Sequence, residues 1–245
     1  MRRLFLALSA ATFIAGSAHA DSVNVAVAAN FTDAATEIAA AFAEATDHEA
    51  VLSFGASGQF YTQITQGAPF EIFLSTDDVR PAQAVTEGYG VDGSVFTYAI
   101  GQLVLYSIDE GRVTGPEALE GDFQQISIAN PETAPYGKAA VETMQALGVY
   151  DALQPKIVQG QNIGQAFQFV ETGNAELGFV ALGQVSQTEA GSRWIVPQEH
   201  YEEIRQDAVL LKTGEDSAAA AAFIDFLKGD EASAIIEKYG YALGR

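Results

Sequence analysis

Two hydrophobic rhythms alternate along this chain. Short apolar, often β-branched runs read as strands: Val23–Ala28, Ala50–Phe54, Phe70–Ser75, Gln125–Ala129, Lys156–Gln159, Leu177–Ala181 and Arg205–Lys212. Between them lie longer stretches whose apolar residues fall about three or four apart, the period of a helix that buries one face. In Thr32–Ala45, for example, Ala34, Ile38, Phe42 and Ala45 fall near that spacing. The other helical stretches are Ser57–Gln66, Asp77–Glu87, Gly137–Leu147, Ile163–Thr172, Asp216–Lys228 and Asp230–Tyr239, and a polar helix or turn follows Ala181 as far as Ser186. Gly88, Gly148, Gly173, Gly229 and Gly240 stand where five of these should stop. Regular alternation of strand and helix predicts an α/β architecture with mainly parallel sheets.

The rhythm breaks twice. Ser94–Ile100 and Gln102–Ser107 are β-rich with no helix between them, and residues 109–125 mix Gly, Pro and acidic residues as a loop with a short helix. After that a second strand–helix series begins. The simplest topology is two lobes joined by two crossings, near residues 100 and 205, with the last helices returning to the first lobe. On this reading residues 1–20 precede the fold, 21–100 plus 206–245 form lobe 1, and 101–205 form lobe 2.

Residues 1–20 read as a signal peptide. Met1-Arg2-Arg3 is basic, Leu4 to Gly16 is apolar but short for a bilayer, and Ala18-His19-Ala20 offers a small-x-small cleavage site ahead of Asp21. The expected compartment is the periplasm. No cysteine occurs anywhere, so the fold must hold without disulfides. The remaining 225 residues are long enough to bury their own core. They carry ten basic against 32 acidic residues, a net charge of −22. That balance argues against nucleic acid or an anionic membrane as partner. It bears less on a buried anion, because surface charge is screened beyond ~8 Å at physiological salt.

Four strand-to-helix junctions share one composition. They are Val25-Ala-Val-Ala-Ala-Asn30-Phe31-Thr32-Asp33, Leu52-Ser53-Phe54-Gly55-Ala56-Ser57-Gly58, Ile128 through Pro135-Tyr136-Gly137-Lys138, and Val158 through Asn162-Ile163-Gly164-Gln165. Each sets free backbone N–H groups and a neutral donor at a helix start, where anions are favoured. Singly, Asn30 and Ser57 read as N-caps; together the four suggest a converging anion site. Tyr136 has less reason to be a cap, and a contact at the surface or between lobes is its other reading. Asp33 should lie in a first helical turn facing solvent, and Asp77 and Asp78 should cap a helix start.

Enzymatic chemistry finds little support. Only His48 and His200 follow residue 20, and no serine sits in a G-x-S-x-G elbow. Glu199-His200-Tyr201-Glu202-Glu203 lacks zinc-site spacing and reads as a solvated acidic loop. Nothing assembles a nucleophile, a base and an orienting group. Neither a cofactor nor a metal held directly by side chains is expected.

The segments Asn30-Phe31-Thr32-Asp33, Ser53-Phe54-Gly55-Ala56-Ser57-Gly58, Gly67-Ala68-Pro69 leading to Ile72-Phe73-Leu74-Ser75, Asn130-Pro131-Glu132 with Pro135-Tyr136-Gly137-Lys138, and Val170 to Glu176 with Gly178-Phe179-Val180 resemble, in order, the molybdate-binding proteins of bacterial ABC transporters. The resemblance implies a two-lobed periplasmic-binding-protein fold of the two-crossing type, with the ligand in the interlobe cleft. It implies capture of molybdate or tungstate by neutral donors: Asn30 through side chain or backbone, Ser57 through hydroxyl and N–H, and the N–H groups of Tyr136 and Ile163. Molybdenum or tungsten would enter only as the oxyanion. The implied partners are an ABC permease and, through it, its ATPase, with the receptor a monomer. Many relatives carry a tyrosine where this chain has Ala181, so Tyr136 is expected to supply that hydroxyl from the neighbouring wall. Tyr239 and Tyr241 resemble the paired tyrosines of iron-binding relatives, but their place near the C-terminus suggests packing on lobe 1, away from the cleft. The alternatives are another oxyanion or a small organic anion in the same fold, and a secreted α/β enzyme acting on a small anion.

Overall fold

A computed structural model describes residues 21–244. The expected signal peptide lies outside the described residues. Two five-stranded sheets, each flanked by helices, build two lobes. In chain order the elements are β1 (Ser22–Ala28), α1 (Thr32–Thr46), β2 (Glu49–Gly55), α2 (Ser57–Thr65), β3 (Ile72–Leu74), α3 (Val79–Thr86), β4 (Phe96–Gly101) and β5 (Leu103–Ser107). There follow β6 (Ile126–Ala129), α4 (Pro135–Ala146), α5 (Tyr150–Leu153), β7 (Ile157–Gly160), α6 (Ile163–Glu171), β8 (Leu177–Ala181), α7 (Leu182–Val185), β9 (Ser192–Ile195), β10 (Ile204–Leu210), α8 (Ala218–Leu227) and α9 (Asp230–Lys238).

The first sheet has the order β2-β1-β3-β10-β4 and the second β7-β6-β8-β5-β9. Pairings β1–β2, β1–β3, β6–β7 and β6–β8 are parallel, and those made by β10 and β5 are antiparallel. Four strands of each sheet therefore share a direction and one is reversed. This refines the expectation of mainly parallel sheets. The reversed strands are the first ones the chain lays down after each crossing, β5 past Gln102 and β10 past residues 196–203.

Each sheet buries both faces. Val25, Val27, Phe31, Ile38, Phe42 and Phe223 fill one side of the first, and Phe60, Ile64, Phe73 and Val209 the other. Leu103, Leu105, Ile126, Met144 and Phe179 lie on one side of the second, with Val104, Val170 and Val180 opposite. Ala29 and Ala56 of the first lobe join the cluster of the second, so the lobes are in apolar contact around the cleft.

Several sequence readings shift. β9 was not foreseen; its four residues form an edge strand, and Trp194 pairs with Leu105. Gly88, Gly148, Gly173 and Gly240 take the left-handed conformation that ends a helix, but Gly229 does not: its φ is −77° and it precedes α9. The helix α1 instead ends on Asp47, a non-glycine residue at φ 61°.

Candidate functional site

Parallel strands place their carboxyl ends together, and the residues just beyond them share one space. Asn30, Ser57 and Thr76 each stand two positions past the ends of β1, β2 and β3, whose register aligns Ala28 with Gly55 and Val27 with Leu74. From the second lobe, Tyr136 is the second residue of α4 and Ile163 the first of α6. All five line one narrow cavity, partly open to solvent. The structure thus brings together Asn30, Ser57, Tyr136 and Ile163. None of the lining residues carries a formal charge.

The backbone gives this cavity its character. The first N–H groups of a helix have no intrahelical acceptor. Among the described residues, the N–H groups of Asn30, Ser57, Tyr136 and Ile163 meet no other acceptor either. Three α-helix starts therefore bring partial positive charge to one uncharged space. Asn162, also at a junction, is an ordinary cap: its side chain accepts from Gln165 N–H at 2.9 Å.

The side chains depart from expectation in instructive ways. Ser57 Oγ accepts the Thr76 N–H at 3.0 Å and lies 2.8 Å from Thr76 Oγ1. If the Thr76 hydroxyl donates, the Ser57 proton is free for the cavity. Sequence reading missed Thr76, although its offset from β3 matches that of Asn30 and Ser57 from their own strands. Asn30 does not cap α1. Its Nδ2 donates to Gln206 Oε1 at 2.8 Å and to the Tyr241 hydroxyl at 3.2 Å, and the Tyr241 hydroxyl donates to Asn30 O at 2.7 Å. In this arrangement both Asn30 amide protons are engaged, and of the two expected donors, side chain or backbone, the backbone N–H is the one left free. Tyr241 packs in the core of lobe 1 as expected, but directly behind a cavity residue rather than away from the cleft.

Tyr136 is 1% exposed and its hydroxyl has no hydrogen-bond partner. That hydroxyl presses on Gly101, at the end of β4 where the chain crosses between lobes: a Cβ on Gly101 would sit 2.2 Å from it and 2.8 Å from Gln206 Nε2. Burial, then the neighbouring tyrosines, hold the Tyr136 hydroxyl well above the usual phenol range, and burial raises Tyr241 as well. Both stay neutral at physiological pH.

Charged groups stand back from the cavity. Asp33 is in the first turn of α1 and exposed. Asp77 accepts from Arg80 N–H at 2.8 Å and pairs with its guanidinium, while Asp78 makes no cap bond. Arg80 reaches across to Glu132 O at 3.4 Å, and Gly58 N–H donates to Thr133 O at 2.9 Å, tying the lobes. Lys138 pairs with Glu142 and Glu202 on the surface. A wider opening between the lobes is walled by six carboxylates, Asp77, Asp78, Glu132, Glu142, Glu202 and Glu203, and by three cations, Arg80, Lys138 and Arg205. Carboxylates outnumber cations there, whereas the smaller cavity is lined by uncharged residues alone.

Comparison with known proteins agrees with this geometry. Residues 23–242 match the family described as bacterial extracellular solute-binding protein. The molybdate-binding protein ModA of Rhodobacter capsulatus is 58% identical over 236 residues, 96% of this chain and 94% of that one. The ModA protein of Azotobacter vinelandii is 50% identical, covering 99% of this chain and 98% of its own. The solved periplasmic molybdate-binding protein of Azotobacter vinelandii superposes with a TM-score of 0.88 at 41% identity, over 91% of this chain and all of that one. A sulfate-binding protein of Mycobacterium tuberculosis, at 14% identity and a TM-score of 0.76, shares the fold alone. A match across the whole described fold, with relatives this similar along their full length, means that the chain belongs to the bacterial extracellular solute-binding proteins and, within them, to the molybdate-binding protein family.

Proposed function

We propose that this protein is a periplasmic receptor that captures molybdate or tungstate and delivers it to the permease of an ABC importer. The observation that carries the reading is a single uncharged cavity flanked by four free N–H groups and the Ser57 hydroxyl, in a chain 58% identical to a protein named for molybdate binding. The ligand set is Asn30, Ser57, Tyr136 and Ile163, with Thr76 orienting the Ser57 hydroxyl. A fully deprotonated oxyanion only accepts hydrogen bonds, and each donor here suits it. Hydrogen bonds to a charged group contribute ~1.5–3 kcal/mol each, so five outweigh the cost of holding the lobes closed. Sulfate is smaller and would leave some of these donors too far away, and buried unpaired donors are costly.

The remaining features of the proposal follow from this role. Residues 1–20 direct export and are removed after Ala20. Lobe 1 comprises 21–100 and 206–245, and lobe 2 comprises 101–205, so that closure brings the α2 start against the α4 and α6 starts. The receptor acts as a monomer and catalyses no reaction. The test is a thermal-shift panel of molybdate, tungstate, sulfate, phosphate and Fe³⁺ at equal concentration. Molybdate and tungstate should each raise the melting temperature by mass action. No shift with either rejects the reading, and a shift with sulfate or phosphate alone reassigns the ligand.

A further inference from the structure

Among the described residues four buried side-chain polar atoms have no partner, and three of them, Asn30 Oδ1, Gln206 Nε2 and the Tyr136 hydroxyl, belong to one group, the fourth being Thr133 Oγ1. Buried polar groups are nearly always satisfied, so three together call for an explanation. They are linked. Asn30 Nδ2 donates to Gln206 Oε1 at 2.8 Å, and Gln206 Nε2 and the Tyr136 hydroxyl crowd the same face of Gly101. Asn30 is 3% exposed and Gln206 fully buried.

A carboxamide has a donor arm and an acceptor arm of nearly the same shape. If both amides turn by half a rotation, the 2.8 Å contact survives with roles exchanged, Gln206 Nε2 now donating to Asn30 Oδ1. The surroundings accept the exchange. The Tyr98 hydroxyl, 3.2 Å from the near arm of Gln206, keeps its proton on Ser75 O at 3.1 Å and accepts from Nε2. Gln206 Oε1 moves to the Gly101 side, where the Tyr136 hydroxyl is a donor without a partner. Asn30 Oδ1 then has a partner, while Gln206 Oε1 and the Tyr136 hydroxyl face each other beside Gly101 and bond only if one of the two side chains shifts. The one group released is Asn30 Nδ2, now on the arm away from Gln206 and Tyr241, on a residue that lines the cavity. It is a donor in want of an acceptor.

Building on the receptor reading above, we propose that Asn30 and Gln206 form a coupled amide switch. An oxyanion selects the orientation in which Gln206 donates to Asn30 and Asn30 Nδ2 donates to the anion. Gln206 is then a positioning residue for binding, acting through Asn30 without touching the ligand. The Tyr241 hydroxyl favours the first orientation by accepting from Nδ2, and an anion favours the second by replacing that acceptor; the ligand shifts the balance only through this difference. The switch also bears on selectivity. The first orientation leaves an acceptor in the cavity wall, suited to a protonated oxyanion, and the second leaves a donor, suited to a fully deprotonated one.

Neutron diffraction from deuterated crystals grown with and without molybdate reads the two amides directly. The expected result is Asn30 Nδ2 on Gln206 in the free protein and Gln206 Nε2 on Asn30 Oδ1 in the complex. The same orientation in both crystals overturns the switch. Gln206→Met, close in size but with neither arm, should weaken molybdate binding about tenfold. Gln206→Glu, whose carboxylate only accepts, should weaken it further by holding Asn30 in the first orientation. Unchanged affinity in both variants also overturns the switch. A wild-type protein that does not respond to molybdate at all rejects the receptor reading instead, so the two failures are distinct.

Discussion

Gly101→Ala is the most direct probe of how the crossing and the binding wall depend on one another. The added methyl would lie 2.2 Å from the Tyr136 hydroxyl, 3.1 Å from its Cζ and 2.8 Å from Gln206 Nε2. Contacts under 3.0 Å force something to move, and neither neighbour has open space, since Tyr136 and Gln206 are both buried. Overpacking of this kind costs about 1–3 kcal/mol. For a domain of this size that lowers the melting temperature by roughly 2–12 °C. The strain falls between Gln206 in the first lobe and Tyr136 in the second, so it acts against closure. If all of it is felt in the closed form, molybdate affinity drops by about 5- to 150-fold. Melting by circular dichroism and titration calorimetry measure the two effects separately. The Tyr136→Phe background gives the control, because it removes the atom at 2.2 Å while keeping the ring. Substituting Gly101 there should cost well under half as much. An equal penalty in both backgrounds, or no penalty in the wild type, would refute the reasoning.

Other substitutions test the remaining claims. Ser57→Ala should weaken molybdate binding about tenfold or more, since a buried anion loses a charge-assisted bond; an unchanged dissociation constant by calorimetry counts against the site. Tyr136→Phe alone should leave the free protein as stable or more stable, by up to ~1 kcal/mol in chemical denaturation, because its hydroxyl is unpaired there. The same variant should bind molybdate more weakly, as the hydroxyl gains an acceptor only in the complex. Gly137→Ala should cost about 3 kcal/mol or more, because its Cβ would meet the Ala129 carbonyl oxygen at 2.2 Å, and backbone cannot step aside. Asp207 has its carboxyl held above the usual range by burial, only partly offset by the Thr97 hydroxyl at 2.6 Å and by Arg205. The folded state therefore favours its protonated form, and that contribution is lost as pH rises from below 3.8 through the raised value. Asp207→Asn should gain on the wild type in melting temperature over that rise, and a gap that narrows with pH would contradict the assignment.

Local signals were legible in the sequence and distant ones were not. The strand and helix periods, the glycine stops at Gly88, Gly148 and Gly173, and the helix starts at Ser57 and Ile163 all depend on neighbours a few residues away. β9 escaped notice because an edge strand of four residues, Ser192–Ile195, buries too little to impose alternation. Thr76 was overlooked because a threonine after a strand has many ordinary uses; only its partnership with Ser57, 19 residues away, gives it one here. Asn30 looked like a cap or a donor. Its donors are spent on Gln206 and Tyr241, 176 and 211 residues further on, and no local pattern carries that information. Gln206 itself sits in a strand rich in apolar residues and reads as any polar strand position would.

The reversed strands have a consequence for how the protein comes into being. β5 through β9 are continuous in sequence, so the second sheet can form as soon as residue 195 is available. The first sheet cannot. Its edge strand β4 joins the rest only through β10, whose Ala208 and Leu210 pair with Leu74 and Ile72 across more than half the chain, and its core needs Phe223 and Ile236 from the final helices. Contacts so far apart in sequence are slow to form. Until β10 is made, β1, β2 and β3 can pair with one another but β4 has no strand to join. A chain cut short before β10 should retain a structured second lobe while the first is digested by protease.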